Sequence, residues 1–248
     1  MKALITTFIL ASIAYGSFAQ DAIDIIRKAE EKMRGKESAY MEMTIETVRP
    51  KWTRTMSLKS WGKGDEYSLM VLTAPSKDAG TAFLKRGKEV WNWVPSIERS
   101  IKMPPSMMSQ SWMGTDMSND DLVRESSSVR DYTHKISGDS IIDGRKCWKI
   151  ELIPKPDAPV VWGKLVAFVD QKDYVQLKSE QYDEDGYLVN VMNSSDVKEM
   201  DGVIMATKLE LIPVEKEGQK TVMTIDKIKF NEKYEDSFFT VQNMKRIR

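Results

Sequence analysis

From Met41 onward the apolar residues recur with a period of two, and this feature constrains the fold more than any other. Met41, Met43 and Ile45 alternate with Glu42, Thr44 and Glu46; Met56 and Leu58 alternate with Thr55, Ser57 and Lys59; Trp148, Ile150 and Leu152 alternate with Lys149 and Glu151. Similar sets follow at Leu165, Ala167 and Val169, at Tyr187, Val189 and Val191, at Met205 to Leu211, and at Met223 and Ile225. Successive side chains of a strand point to opposite faces, so each run describes a strand with one buried face. Turn residues separate the runs: Gly62-Lys63-Gly64, Gly87-Lys88, Asp143-Gly144, Asp185-Gly186, Asp201-Gly202 and Glu217-Gly218. An Asp-Gly between alternating segments is a strong hairpin signal. The pattern predicts an antiparallel meander of about ten to eleven strands, with no βαβ unit and no internal repeat.

One helix precedes the strands. Over Asp21 to about Arg34, Ala22, Ile25, Ile26, Ala29 and Met33 recur at helical spacing, with Asp21 placed to cap the start and Gly35 to end it. Further upstream, Met1-Lys2, an apolar run from Ala3 to Ala14, and Ser17-Phe18-Ala19 have the layout of an export signal peptide. Cleavage is expected after Ala19, leaving a soluble periplasmic chain read as a single domain over 20–248. The apolar run is short for a membrane span.

The only cysteine, Cys147, excludes an internal disulfide, so the exported chain must rely on its core. Its 37 basic and 37 acidic residues balance, leaving no field to gather nucleic acid or an anionic surface. Catalytic signals are poor. The one histidine, His134, has no motif around it that supplies a nucleophile or an orienting group. One His and one Cys do not make a zinc cluster, and Asp116, Asp120 and Asp121 lack calcium-loop spacing. No metal, no cofactor and no enzymatic activity are expected.

The segment 104–117 breaks the alternation. Pro104-Pro105 stops a strand, Ser106 onward suits a short helix or helical loop, and Ser118 or Asn119 can cap another turn. Just upstream, Trp91 and Trp93 must share one face of a strand while Val90 and Val94 take the other. Met103, Met107, Met108, Trp112, Met113 and Met117 follow. Such side chains either fill a core or line a hollow. Methionine is polarizable and adaptable, tryptophan offers a broad apolar face, and both sit beside a strand-to-helix break. That combination points to an apolar cavity walled by Trp91 and Trp93 and lidded by Met107, Met108, Trp112 and Met113, with Met103 and Met117 beside it.

Trp91-Asn92-Trp93-Val94-Pro95, Arg99, Pro104-Pro105, Met108, Ser111-Trp112-Met113-Gly114-Thr115-Asp116 and Ser118-Asn119-Asp120-Asp121-Leu122 together resemble the signature of the outer membrane lipoprotein-sorting proteins. These are relatives of the LolA-like periplasmic lipoprotein carriers. The N-terminal helix, the Asp143-Gly144 turn and Ser179 to Gly186 also look typical of that group. The resemblance implies a curved, half-open antiparallel β-barrel (mainly β, α+β) with an N-terminal helix and a short helical lid. It implies an apolar cavity for the acyl chains of lipoproteins or another lipid, received from an inner-membrane transporter and passed toward an outer-membrane acceptor. The chain is expected to be a monomer. Arg99 is the position in the motif suggested for a polar contact with the cargo. A second expectation, from the same fold family, is an envelope-stress sensor, which usually adds a further domain; a hydrolase relying on His134 is a third.

Overall fold

The computed structural model describes residues 22–123 and 127–247; the expected signal peptide and Asp21 lie outside them. Thirteen strands form one antiparallel sheet: β1 (Ser38–Arg49), β2 (Trp52–Lys63), β3 (Tyr67–Ala74), β4 (Ala82–Arg86), β5 (Glu89–Val94), β6 (Arg99–Lys102), β7 (Tyr132–Ile142), β8 (Arg145–Pro154), β9 (Lys164–Asp170), β10 (Gln176–Tyr182), β11 (Leu188–Met200), β12 (Val203–Pro213) and β13 (Lys220–Phe230). The count exceeds the predicted ten to eleven. Some of the excess comes from short strands without alternation. Ala82, Phe83, Leu84 and Lys85 of β4 are all buried, so no polar residue marks an outer face, and β6 has only four residues.

Strand order is β6-β5-β4-β3-β2-β1-β13-β12-β11-β10-β9-β8-β7. Every neighbour but one is a sequence neighbour; the exception pairs β1 with β13 through Met41↔Ile228, Met43↔Ile225 and Ile45↔Met223. The sheet is curved and open, its free edges being β6 and β7. These two strands are consecutive in the chain, so the segment between them must travel from one free edge to the other. At the turns Asp143-Gly144 and Asp201-Gly202 both residues have positive φ (47° and 76°, 50° and 79°), the left-handed pair that matches strand twist. The first glycine turn falls slightly later than predicted, at 64–66, because β2 runs on to Lys63.

Helix α1 spans residues 22–34 and ends at Gly35 (φ 69°), where a Cβ would lie 2.5 Å from the Ser38 carbonyl oxygen. Its buried stripe Ala22, Ile25, Ile26 and Ala29 packs on Tyr132, Ile150, Leu152, Ala167 and Val169, the inner face of β7, β8 and β9. The larger inner cluster joins β1 to β5 with β12 and β13 and is covered by Met103, Met108, Trp112, Met117 and Val123 of the connecting segment. That segment contains helix α2 (Asn119–Val123).

The outer face of β3, β4 and β5 is also apolar, and the C-terminal tail with helix α3 (Val241–Met244) covers it. Phe239 stacks on Tyr67 with centroids 5.2 Å apart, and Phe238 meets Trp61 at 5.8 Å. Lys63 pairs with Asp236 at 2.6 Å beside these rings. Phe239 is fully buried. Phe239→Ala is therefore expected to cost about 3–5 kcal/mol, read as a lower urea midpoint, and to raise amide exchange in residues 234–247 while exchange in α1 stays as it was.

Candidate functional site

A cavity of about 310 Å³ lies between the concave face of the sheet and the two covering helices. Its walls are Met41 and Met43 of β1, Met70 of β3, Met192 of β11, Met205, Leu209 and Leu211 of β12, and Met223 of β13. Its roof is Ile26, Ala29 and Met33 of α1 with Met117, Leu122 and Val123 of the connecting segment. Eight methionines thus line one space. The period-two pattern places them there: on the paired strands β1, β12 and β13 the inner positions bring Met43, Met223, Met205 and Leu209 onto one surface. An unbranched thioether chain can change rotamer cheaply, so such a wall can fit an apolar guest or close over its absence.

The connecting segment is clamped to the sheet. Within Ser111 to Ser118 the Trp112 amide donates to the Met117 carbonyl (2.8 Å) and Thr115 Oγ1 donates to the Trp112 carbonyl (2.7 Å), with Met113 and Gly114 at φ 49° and 81°. The Asp116 carboxylate, 3% exposed, accepts from Arg49 Nη1 of β1 (2.9 Å) and from Thr221 Oγ1 of β13 (2.7 Å). Arg49 Nη2 also donates to the Gly114 carbonyl (2.9 Å), and Arg54 of β2 donates to the Met113 carbonyl (3.1 Å). Ser118 then caps α2: its Oγ accepts from the Asp121 amide (3.0 Å), and the Asp121 carboxylate accepts from the Ser118 amide (2.8 Å). The other Asp121 oxygen accepts from Trp162 Nε1 (3.1 Å), which ties the far side of the lid to the loop before β9.

The structure separates the residues singled out in the sequence. Met117 lines the cavity. Met103, Met108 and Trp112 are buried in the inner cluster, with Met107 and Met113 against it, and none of these five reaches the cavity surface. Trp112 is fully buried, 5.7 Å from the Phe83 ring. They fill the space beneath the lid. Trp91 and Trp93 share a face, but it is the outer one, where they pack with the C-terminal tail. Alternation fixes which residues share a face and leaves open which face turns inward. Arg99 is exposed on the edge strand β6, away from the cavity.

The polar residues of the cavity lie elsewhere. Lys85 of β4, 5% exposed, lines it together with Arg34 of α1 and Asp65 of the β2–β3 turn. Burial, and then the neighbouring Arg34 charge, push the Lys85 ammonium below its ordinary pKa. One signal of this was in the sequence, a lysine closing the run Ala82-Phe83-Leu84-Lys85. His134 lies on β7 and its Nε2–H donates to the Ser128 carbonyl (2.7 Å). Cys147 is buried, and burial raises its thiol pKa. No group of three or more His, Cys, Asp or Glu able to hold a metal occurs among the described residues.

Two measurements test these contacts. Removing one partner of a buried ion pair costs about 3–5 kcal/mol, so Asp116→Ala should lower the unfolding midpoint and speed amide exchange across residues 112–118. His134, lowered below 6.5 chiefly by burial, favours the native state above pH 6.5 and loses that contribution as pH falls through its folded value. His134→Gln should therefore flatten the acid side of the stability curve below pH 6.5, by at most about 1.4 kcal/mol per pH unit.

Comparison with known proteins agrees with this architecture. A family model described as "Uncharacterized protein" matches residues 64–246. A domain assigned to the outer membrane lipoprotein-sorting proteins, from Vibrio parahaemolyticus, superposes with TM-score 0.80 at 22% identity, over 92% of this chain and 100% of that one. A DUF1329 family protein from Desulfovibrio piger gives 0.82 at 22% identity, over 92% and 99%. A LolA superfamily protein from Nitrosomonas europaea gives 0.77 at 23% identity, over 89% and 98%. No curated protein matches the chain. With a family model spanning most of its length, the chain belongs to this DUF1329-like family, and it shares its fold with the LolA superfamily structure.

Proposed function

We propose that the protein is a periplasmic carrier that shelters an acyl chain, of a lipoprotein or of another lipid, in the methionine-lined cavity. The observation that carries this reading is the hollow itself: about 310 Å³ bounded by eight methionines, with leucine, isoleucine and valine beside them. Ligand pockets range over roughly 300–1,000 Å³, and a buried methylene gains about 0.8 kcal/mol. A wall of adaptable thioethers under a clamped lid suits a long, featureless guest better than a shaped polar substrate. His134 is absent from the lining, as is Cys147, so the cavity holds neither a general base of that kind nor a thiol nucleophile. The reading therefore is of a binding protein and not an enzyme. The lipoprotein-sorting assignment of the Vibrio domain supports the choice of cargo. Export through the N-terminal segment, supply by an inner-membrane transporter and delivery to an outer-membrane acceptor belong to this reading.

Lipid extraction and native mass spectrometry of the purified protein should reveal a bound or loadable acyl chain; its complete absence after loading with fatty-acyl probes would end the proposal. Met192 is only partly buried, so Met192→Glu should fold yet place a carboxylate against the guest. It should weaken binding of a fluorescent fatty-acyl probe by about tenfold or more, since leaving a charge unpaired against hydrocarbon exceeds the 1.4 kcal/mol of one decade. Trp91→Ala, on the outer face, should leave probe binding unchanged.

A further inference from the structure

The cavity is not uniformly apolar, and its polar groups are of two kinds. The charged ones come from α1, the β2–β3 turn, β4 and α2, where carboxylates and cations are mixed. Arg34 pairs with Asp65, Asp121 accepts from Ser118 and Trp162, and Lys85 and Asp120 have partners of their own. By contrast, strands β9 to β12 contribute no charged side chain to the lining among the described residues. Their polar groups there are neutral. Gln181 of β10 is engaged: its Oε1 accepts from Asn190 Nδ2 (2.9 Å). Ser179 of β10 and Ser194 of β11 are not. Both line the hollow, they are 8% and 4% exposed, and neither hydroxyl has a hydrogen-bond partner among the described residues. A hydroxyl withdrawn from water without a partner destabilises a fold, and alanine at either place avoids that cost. Ser179 is paired with Met192, and Ser194 is the next inward position on β11. That diagonal puts their Cβ atoms roughly 7 Å apart, close enough for both hydroxyls to reach one oxygen atom. Ser194 in turn faces Leu209 of β12, so the pair borders the apolar wall.

We propose that the cargo is an uncharged acyl ester, its carbonyl oxygen held by the Ser179 and Ser194 hydroxyls while its chain lies among the methionines. This rests on the carrier reading and specifies its substrate class. Each serine O–H donates, and a carbonyl oxygen has two lone pairs to accept with. The two buried donors gain an acceptor only when the guest arrives. A carboxylate also accepts, but it carries a charge to a wall without a cation, where losing its hydration costs more than the hydrogen bonds return. An ether of the same chain has no carbonyl to present, so it gains little beyond the burial of its chain.

The test is competition for a bound fluorescent fatty-acyl probe at neutral pH, using the purified protein. Two uncharged competitors differ only at the carbonyl: monooleoylglycerol and the corresponding oleyl glycerol ether. Oleate is the third. The ester should displace the probe at a concentration about tenfold or more below the ether, a difference of about 1.4 kcal/mol, and below oleate as well. In Ser179→Ala and in Ser194→Ala the advantage of ester over ether should shrink, and in the double variant it should vanish. Trp91→Ala, on the outer face, should keep the wild-type ratio. Each serine variant removes one oxygen atom that holds no partner in the fold, so the urea midpoint should not fall. Equal displacement by ester and ether in the wild type, stronger displacement by oleate than by the ester, or an ester preference that survives in the double variant overturns the proposal while leaving the carrier reading intact. A lowered midpoint in both single variants also overturns it, because the hydroxyls are then bonded within the protein. Failure of every acyl compound to bind overturns both readings.

Discussion

The pairing of β1 with β13 is the contact on which the architecture depends. All other neighbours in the sheet are joined by short connections and can form locally, whereas this pair brings together residues about 180 positions apart, as in Met41↔Ile228 and Val48↔Lys220. Without it the chain is two separate meanders, β1 to β6 and β7 to β13, each with two unpaired edges. With it there is one sheet, and the free edges become β6 and β7, which adjoin in sequence. That topology alone sends Met103 to Val123 across the opening. The lid is a consequence of where the barrel fails to close.

The lid is in turn held where the sheet is joined. Asp116 reaches Arg49 of β1 and Thr221 of β13, at one end of the pairing that unites the two meanders. A buried carboxylate with two charged or hydroxyl donors is well placed only in one geometry, so this contact specifies position more than it adds stability. Asp121, bonded to Trp162, does the corresponding job on the other side. Held at both margins, the segment fills the space over β2 to β5 with Met108 and Trp112 but leaves a hollow farther along, beneath Met117, Leu122 and α1. Packing is thus dense under one part of the lid and open under the next, and the open part is where the strand methionines meet.

Much of this was legible in the chain. Alternation and Asp-Gly turns identified the antiparallel meander, the spacing of Ala22, Ile25, Ile26 and Ala29 identified the packed stripe of α1, and Pro104-Pro105 marked the departure from strand. The motif around Ser111 to Asp121 lies on the segment that covers the sheet, where its Met and Trp side chains are mostly core and Asp116 and Asp121 are the clamps. The cavity methionines Met41, Met43, Met205 and Met223 were visible as inner-face positions of ordinary strands, with nothing local to distinguish wall from core. Lys85 was a lysine at the end of a short apolar run.

The sequence by itself determined which residues share a face, because side-chain direction along a strand depends only on parity, and where strands stop, because proline and the left-handed turns act over two or three residues. Only the tertiary structure decided which face is concave. Both faces of β3, β4 and β5 are apolar, so Trp91 and Trp93 satisfied the rules for either side. Their outward position is decided by the C-terminal tail, which covers that face with Tyr234, Phe238 and Phe239 from some 140 residues away. Whether facing apolar surfaces touch or leave a hollow is likewise a matter of curvature and of the separation of elements distant in the chain, and no local pattern encodes a distance of that kind.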